Sequence, residues 1–153
     1  AHAAAQEGIR VAVVDAHFAS PQLAREMKLK TTSSWHEAAG ESQAASLSAR
    51  FEKEGVTFYP LRLHSAEDLT DWTRSAVAPS LHRIVESQDL VLLDIGPVLV
   101  AWGYGFSRIA EELVDSIILV RDRRQEDAFV ADAAIDRLRR AGLEVVVAEN
   151  FVS

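Results

Sequence analysis

The sequence has no cysteine in its 153 residues, which excludes a disulfide framework and any thiolate metal site. No window approaches the roughly 18 consecutive apolar residues of a membrane-spanning helix. The opening AHAAAQEGIR lacks the charged-then-apolar order of a secretory signal. Positive charge is in deficit: 16 Lys and Arg against 23 Asp and Glu leave a formal net charge of −7, which argues against a nucleic-acid partner. The one basic run, Arg121 with Arg123 and Arg124, is offset by Asp122, Glu126 and Asp127 and reads as a solvated loop between a strand and a helix. Internal repeats and low-complexity linkers are missing as well. What remains is an ordinary globular composition, 48% hydrophobic and 25% charged, in a chain long enough to bury a core. Residues 1–153 are expected to form one domain.

Apolar runs of strand length cover Ile9–Val14, Leu90–Leu93, Ser116–Val120 and Leu143–Ala148, with a shorter one over Val56–Leu61. Helical patterns lie between them. Ala3–Gln6 is a helix tail stopped by Gly8. Pro21–Met27 suits a short helix, with Ser20 as its N-cap. Trp35–Phe51 and Ala66–Val85 carry apolar residues at spacings of three and four. Gln125–Arg140 is the clearest helix, with Phe129, Ala133, Ile135 and Leu138 read as its inward face and Ala141-Gly142 as its stop. Trp35 and Trp72 read as core residues, and Trp102–Phe106 as a loop folded back on the core. Strands alternating with such helices predict an α/β fold: a mostly parallel, Rossmann-like sheet with helices on both faces in three layers. Ligands of these folds sit beyond the carboxyl ends of the strands.

Two strands run directly into an acid at that edge, Val11–Val14 into Asp15 and Leu90–Leu93 into Asp94. A carboxylate there lies where bound phosphate would be, and it can hold magnesium directly or through water. A lone Asp would more often be a turn residue capping the next helix. Two of them on separate strands, the second followed by Gly96-Pro97, point to a shared site.

The residues Val11-Ala-Val-Val-Asp-Ala-His-Phe-Ala-Ser-Pro21 resemble the second acidic motif (Walker A′) of the capsule- and exopolysaccharide-type bacterial tyrosine kinases. That motif reads as an apolar strand, D-x-D, then x-R, then Pro. Leu90-Val-Leu-Leu-Asp-Ile-Gly-Pro97 resembles their Walker B segment. Leu113–Arg121 is similar to a later strand, Leu138–Asn150 to the closing helix and strand, and Val56–Leu69 to a strand, proline and E-L-L segment. The resemblance covers nearly the whole chain in order, and it extends to the related partitioning and division-site ATPases. It implies a P-loop NTPase-like fold, ATP and magnesium as cofactors, and work within polysaccharide synthesis or export. Asp15 would be base or metal ligand, Asp94 a magnesium site through water, and Asn150 a neighbour of adenine. The partners implied are a membrane-embedded polysaccharide co-polymerase or activator and further copies of the chain. The location implied is cytoplasmic, with membrane association through a partner or another part of the protein.

The departures bear on activity. The family opens with a strand and a G-K-x-x-x-G-K-[ST] loop, and residues 1–153 contain neither; residue 1 already falls in the helix that would follow. The domain is therefore expected to be N-terminally incomplete and to bind nucleotide weakly. The second acid of D-x-D is His17, and the Arg position is Ala19. A histidine cannot supply a carboxylate's negative charge, and phosphoryl transfer depends on positioned charge. A tyrosine-rich tail is missing too, with only Tyr59 and Tyr104 in the chain. The expectation is a catalytically degenerate domain. His17 reads as a surface residue in preference to a ligand or base at the nucleotide edge, and the other four histidines also read as surface residues.

Two other readings stay open. One is a non-enzymatic pseudo-kinase that keeps the fold as a docking surface. The other is a response-regulator receiver, whose acceptor aspartate would follow the first acid far more closely than the 79 residues that separate Asp15 from Asp94. A receiver also needs a Lys after its last strand, where this chain has Arg121-Asp122.

Overall fold

The computed structural model describes residues 1–17, 22–28, 51–60, 77–98, 101, 106–122 and 128–150. The chain divides into two compact units, Ala1–Tyr104 and Gly105–Ser153. The expected helix at 35–50, the Ser20 cap, Ala19, residues 66–76 and the loop at 102–105 lie outside the described residues.

The first unit is built on a four-stranded sheet of order β2-β3-β1-β4, made of β1 (Val11–Asp15), β2 (Phe51–Lys53), β3 (Val56–Tyr59) and β4 (Leu90–Asp94). Strand β1 lies inside the sheet, parallel to both neighbours, with Val11 opposite Val56 on one side and Leu90 on the other. All five of its residues are buried, as a strand covered on both faces must be. Val11 and Val13 meet Val56, and Ala4, Ala5, Leu23, Phe58 and Leu92 pack around them. Ala4 and Ala5 come from helix α1 (His2–Gln6) and Leu23 from α2 (Gln22–Glu26). Helix α3 (Val77–Ser87) leads into β4 and buries Ser80, Leu81 and Ile84.

The amino ends of β1 and β4 are clipped together. The Arg10 backbone N–H and Nε donate to Asp89 Oδ2 at 3.0 and 2.9 Å, and Nη2 donates to Oδ1 at 2.6 Å. In return the N–H groups of Asp89 and Leu90 donate to the Arg10 carbonyl at 2.9 and 3.1 Å. The guanidinium holds the Asp89 carboxyl down at about 2.

The second unit pairs β5 (Ser116–Asp122) with β6 (Glu144–Asn150) in parallel, from Ser116 opposite Glu144 to Asp122 opposite Asn150. Helix α4 (Phe106–Leu113) precedes the pair, and α5 (Ala128–Arg140) makes the crossover between the two strands. Gly142 ends α5 at φ +82, where its N–H bonds to the Arg139 carbonyl and the Leu143 N–H to that of Leu138, the stop expected from Ala141-Gly142.

The α/β class and the parallel strands are as the sequence predicts. Several local readings need correction. Phe51 is not the end of a helix: it begins β2, which forms an antiparallel hairpin with β3 through Glu54 and Gly55, both at positive φ. Helix α4 was not anticipated. The inward face of α5 is Ala131, Ala134, Ile135 and Leu138, all buried, whereas Phe129 is 79% exposed and Ala133 is exposed. At about 100° per residue, Phe129 and Ala133 lie on the far side of the helix from the stripe at i, i+3, i+4 and i+7. Ile9 is outside β1, because its N–H closes the end of α1 on the Ala4 carbonyl. Arg121 and Asp122 are not loop residues: they continue β5, and the Arg121 side chain is only 18% exposed. Among the described residues no helix is long and apolar enough to cross a membrane.

Candidate functional site

Strands β1 and β4 both end on an aspartate, and the register sets Asp15 directly opposite Asp94. The pairing runs one step further, with the Ala16 N–H donating to the Asp94 carbonyl at 2.8 Å. Beyond that point both strands turn in the same way. Asp15 Oδ1 accepts from the His17 N–H at 3.3 Å, and Asp94 Oδ1 accepts from the Gly96 N–H at 3.0 Å. These are two Asx turns side by side, each carboxylate folded onto the backbone two residues on.

The two acids differ in setting. Asp15 is 3% exposed, and its Oδ2 also accepts from the Ala24 N–H at 3.0 Å, in the first turn of α2. Burial pushes its carboxyl above the usual carboxylate range, against the lowering effect of the Ala24 and His17 N–H donors; the negative charge of Asp94 adds to the rise. Asp15 therefore caps the next helix, as a turn aspartate does, but it does so from a buried position rather than a solvated one. Asp94 is half-buried and keeps access to solvent.

His17 is the main correction at this edge. It is buried, at 9% exposure, with its ring against Gly96. A short loop can bury an imidazole when the facing residue has no side chain, and here that residue is Gly96. The other described histidines fit the surface reading: His82 is exposed, and His2 lies at the surface within 3.6 Å of Glu54. Asn150 is the last residue of β6, in register with Asp122 in the second unit. Sequence reasoning missed the Ala24 and Gly96 amides as the donors that orient the acids; backbone donors leave no residue-type signature.

Among the described residues no three His, Asp or Glu side chains come together as metal ligands. The donor set at the edge is instead a pair of carboxylates. Magnesium suits such a pair, since it keeps several waters and takes one or two carboxylates plus phosphate oxygens. Asp94 is the more open of the two, because both oxygens of Asp15 already accept backbone N–H bonds.

No family model matches the sequence, and no curated protein does. Solved structures do match. The VpsO kinase domain aligns with 99% of this chain and 74% of its own, at 18% identity and a TM-score of 0.79. The kinase domain of the Escherichia coli tyrosine kinase ETK aligns with 99% of this chain at 18% identity and a TM-score of 0.75, and the BceF tyrosine kinase domain with 99% at 23% identity and 0.73. The chain spans 59% and 60% of those two domains. It has the α/β fold of the bacterial tyrosine kinase domains.

Proposed function

We propose that this chain is a P-loop ATPase-like domain of the capsule- and exopolysaccharide-type tyrosine kinase kind, degenerate in its catalytic acids, that serves polysaccharide synthesis or export or its regulation. The observation that carries the reading is the Asp15–Asp94 register at the carboxyl ends of adjacent parallel strands, in a fold shared with tyrosine kinase domains. In this reading residues 1–153 act as a single domain, in keeping with solved domains that align with 99% of them. Asp94 holds magnesium through water, Asp15 serves as base or second ligand, and Asn150 faces adenine. When bound, ATP with magnesium supplies the phosphoryl group and neutralises its charge. His17 occupies the place of the second acid and brings no negative charge to it. The domain works in the cytoplasm, beside a membrane-embedded co-polymerase or activator and other copies of itself.

A second reading, a docking domain without catalysis, is favoured by the setting of Asp15. Its two oxygens accept N–H bonds from His17 and Ala24, and burial raises its carboxyl. A group so engaged serves the fold first.

Two measurements test the proposal. Calorimetric titration of the 153-residue chain with ATP–magnesium is expected to show affinity weaker than about 1 mM, because these residues hold no glycine-rich phosphate loop. Micromolar affinity would place the nucleotide elsewhere and overturn the assignment of this edge. In the natural protein, steady-state phosphate release at saturating ATP is expected to be slow and to rise about tenfold or more in His17→Asp, a change of ~1.4 kcal/mol in the barrier. A fast wild-type rate would end the degenerate reading, whether His17→Ala lowers it through the imidazole's own chemistry or through its packing on Gly96.

A further inference from the structure

The turn after Asp94 carries an unusual packing constraint. Gly96 has φ +62, a conformation that L side chains rarely adopt. A Cβ placed on it would lie 2.5 Å from Cδ2, 2.6 Å from Cγ and 2.8 Å from Nε2 of His17. Those separations are far below van der Waals contact, so the imidazole occupies the space that any side chain at position 96 would need. His17 as a residue is 9% exposed, which leaves its ring little room to swing away. Position 96 is thus restricted to glycine twice, once by its own backbone and once by a residue in the turn that follows β1.

This contact bears on the acids. The Gly96 N–H is the donor that holds Asp94 Oδ1, and the His17 N–H is a donor that holds Asp15 Oδ1. The His17 backbone therefore fixes one carboxylate, while its ring presses on the residue that fixes the other. The Ala16 N–H bond to the Asp94 carbonyl ties the same two turns together between them.

We propose that His17 is a positioning residue: its imidazole, filling the space where a Gly96 side chain would stand, holds the turn that orients Asp94 and so keeps the two carboxylates side by side. The use made of that pair rests on the proposed function, whereas the positioning itself does not. An aspartate at 17 would bring a negative charge but no flat ring over Gly96. The histidine is then a working replacement in the architecture of the edge, even though it is no replacement for the acid's charge.

The test needs no nucleotide. Urea unfolding is measured for the wild type, His17→Ala, Gly96→Ala and the double variant. Gly96→Ala is expected to lower the midpoint through both backbone strain and the clash with the ring. With the ring removed only the strain remains, so the double variant should lose clearly less than the two single losses combined. Strict additivity overturns the contact. The carboxyl carbon resonance of Asp94 and the amide resonance of Gly96 give the second readout. Both are expected to shift in His17→Ala and to return toward wild-type values in His17→Phe, which keeps a flat ring without its nitrogens. If His17→Ala does not fold, His17→Ser, which also removes the ring, takes its place in both measurements. An Asp94 carboxyl that stays unmoved in the variant without a ring overturns the positioning role, even where the unfolding data show coupling. Micromolar nucleotide affinity in this chain would count against the proposed function and leave these outcomes unchanged.

Discussion

Strands β1 and β5 are similar as text, VAVVD and SIILVRD, and differ as structure. Every residue of β1 is buried. In β5, Ile117 is 8% exposed, whereas Ile118 and Val120 are 63% and 61% exposed. The difference follows from neighbours. Strand β1 has a parallel partner on each side and helices packed against it. Strand β5 is paired with β6 alone among the described residues, and the Ile118 side of the pair also shows Val146, its register partner, at 50% exposure. An apolar run thus reports that a residue suits a covered strand, but only the packed chain decides whether a cover is present.

The largest effect expected from this contrast is in β1. Val11→Ala and Val14→Ala should each lower unfolding stability by about 1.5–3 kcal/mol, the scale of a fully buried aliphatic side chain. Urea midpoints within error of the wild type would show that β1 is not the centre of the core. The matched changes in β5, Ile118→Thr and Val120→Thr, should stay within about 0.5 kcal/mol, as exposed substitutions do. Losses as large as those in β1 would show that this face is covered in solution and would dissolve the contrast.

The smallest expected effect concerns the clip that starts β1 and β4. The Asp89 carboxyl lies at about 2 in the fold, below its ordinary 3.8. A lowered folded value means a contribution that is present above the ordinary value and is lost as pH falls through the folded one. Acid unfolding of Asp89→Asn should therefore be flatter than wild type between those two values and parallel to it above them. The fork is exposed, so the change is expected to be modest. An unchanged acid limb would show that the clip contributes nothing to holding β1 against β4.

Much of the fold was legible because long apolar runs and glycine stops act locally. Asp15 and Asp94 could be placed at one edge from the sequence, since each directly follows a strand. The inward face of α5 was misread because Phe129, the largest apolar residue there, lies on the wrong side of the helix, and size is no guide to direction. Strand β2 is not legible from its own residues, of which Phe51 alone falls in the segment of helical spacing, because its pairing with β3 depends on the turn at Glu54-Gly55. The burial of His17 depends on Gly96, which is remote in the chain, and no window of sequence contains both residues.

The pairing of β1 with β4 also has a consequence in time. Arg10 and Asp89 are 79 residues apart, and each register pair up to Asp15 with Asp94 spans the same distance. Contacts of such long range are slow to close, because loop entropy is lost before they form. On a ribosome adding about 5–20 residues per second, β1 emerges roughly 4–16 s before its partner is made. Through that interval one edge of a strongly apolar strand is without β4. The two carboxylates come together only when β4 docks, so the candidate site is among the last parts of the first unit to be assembled.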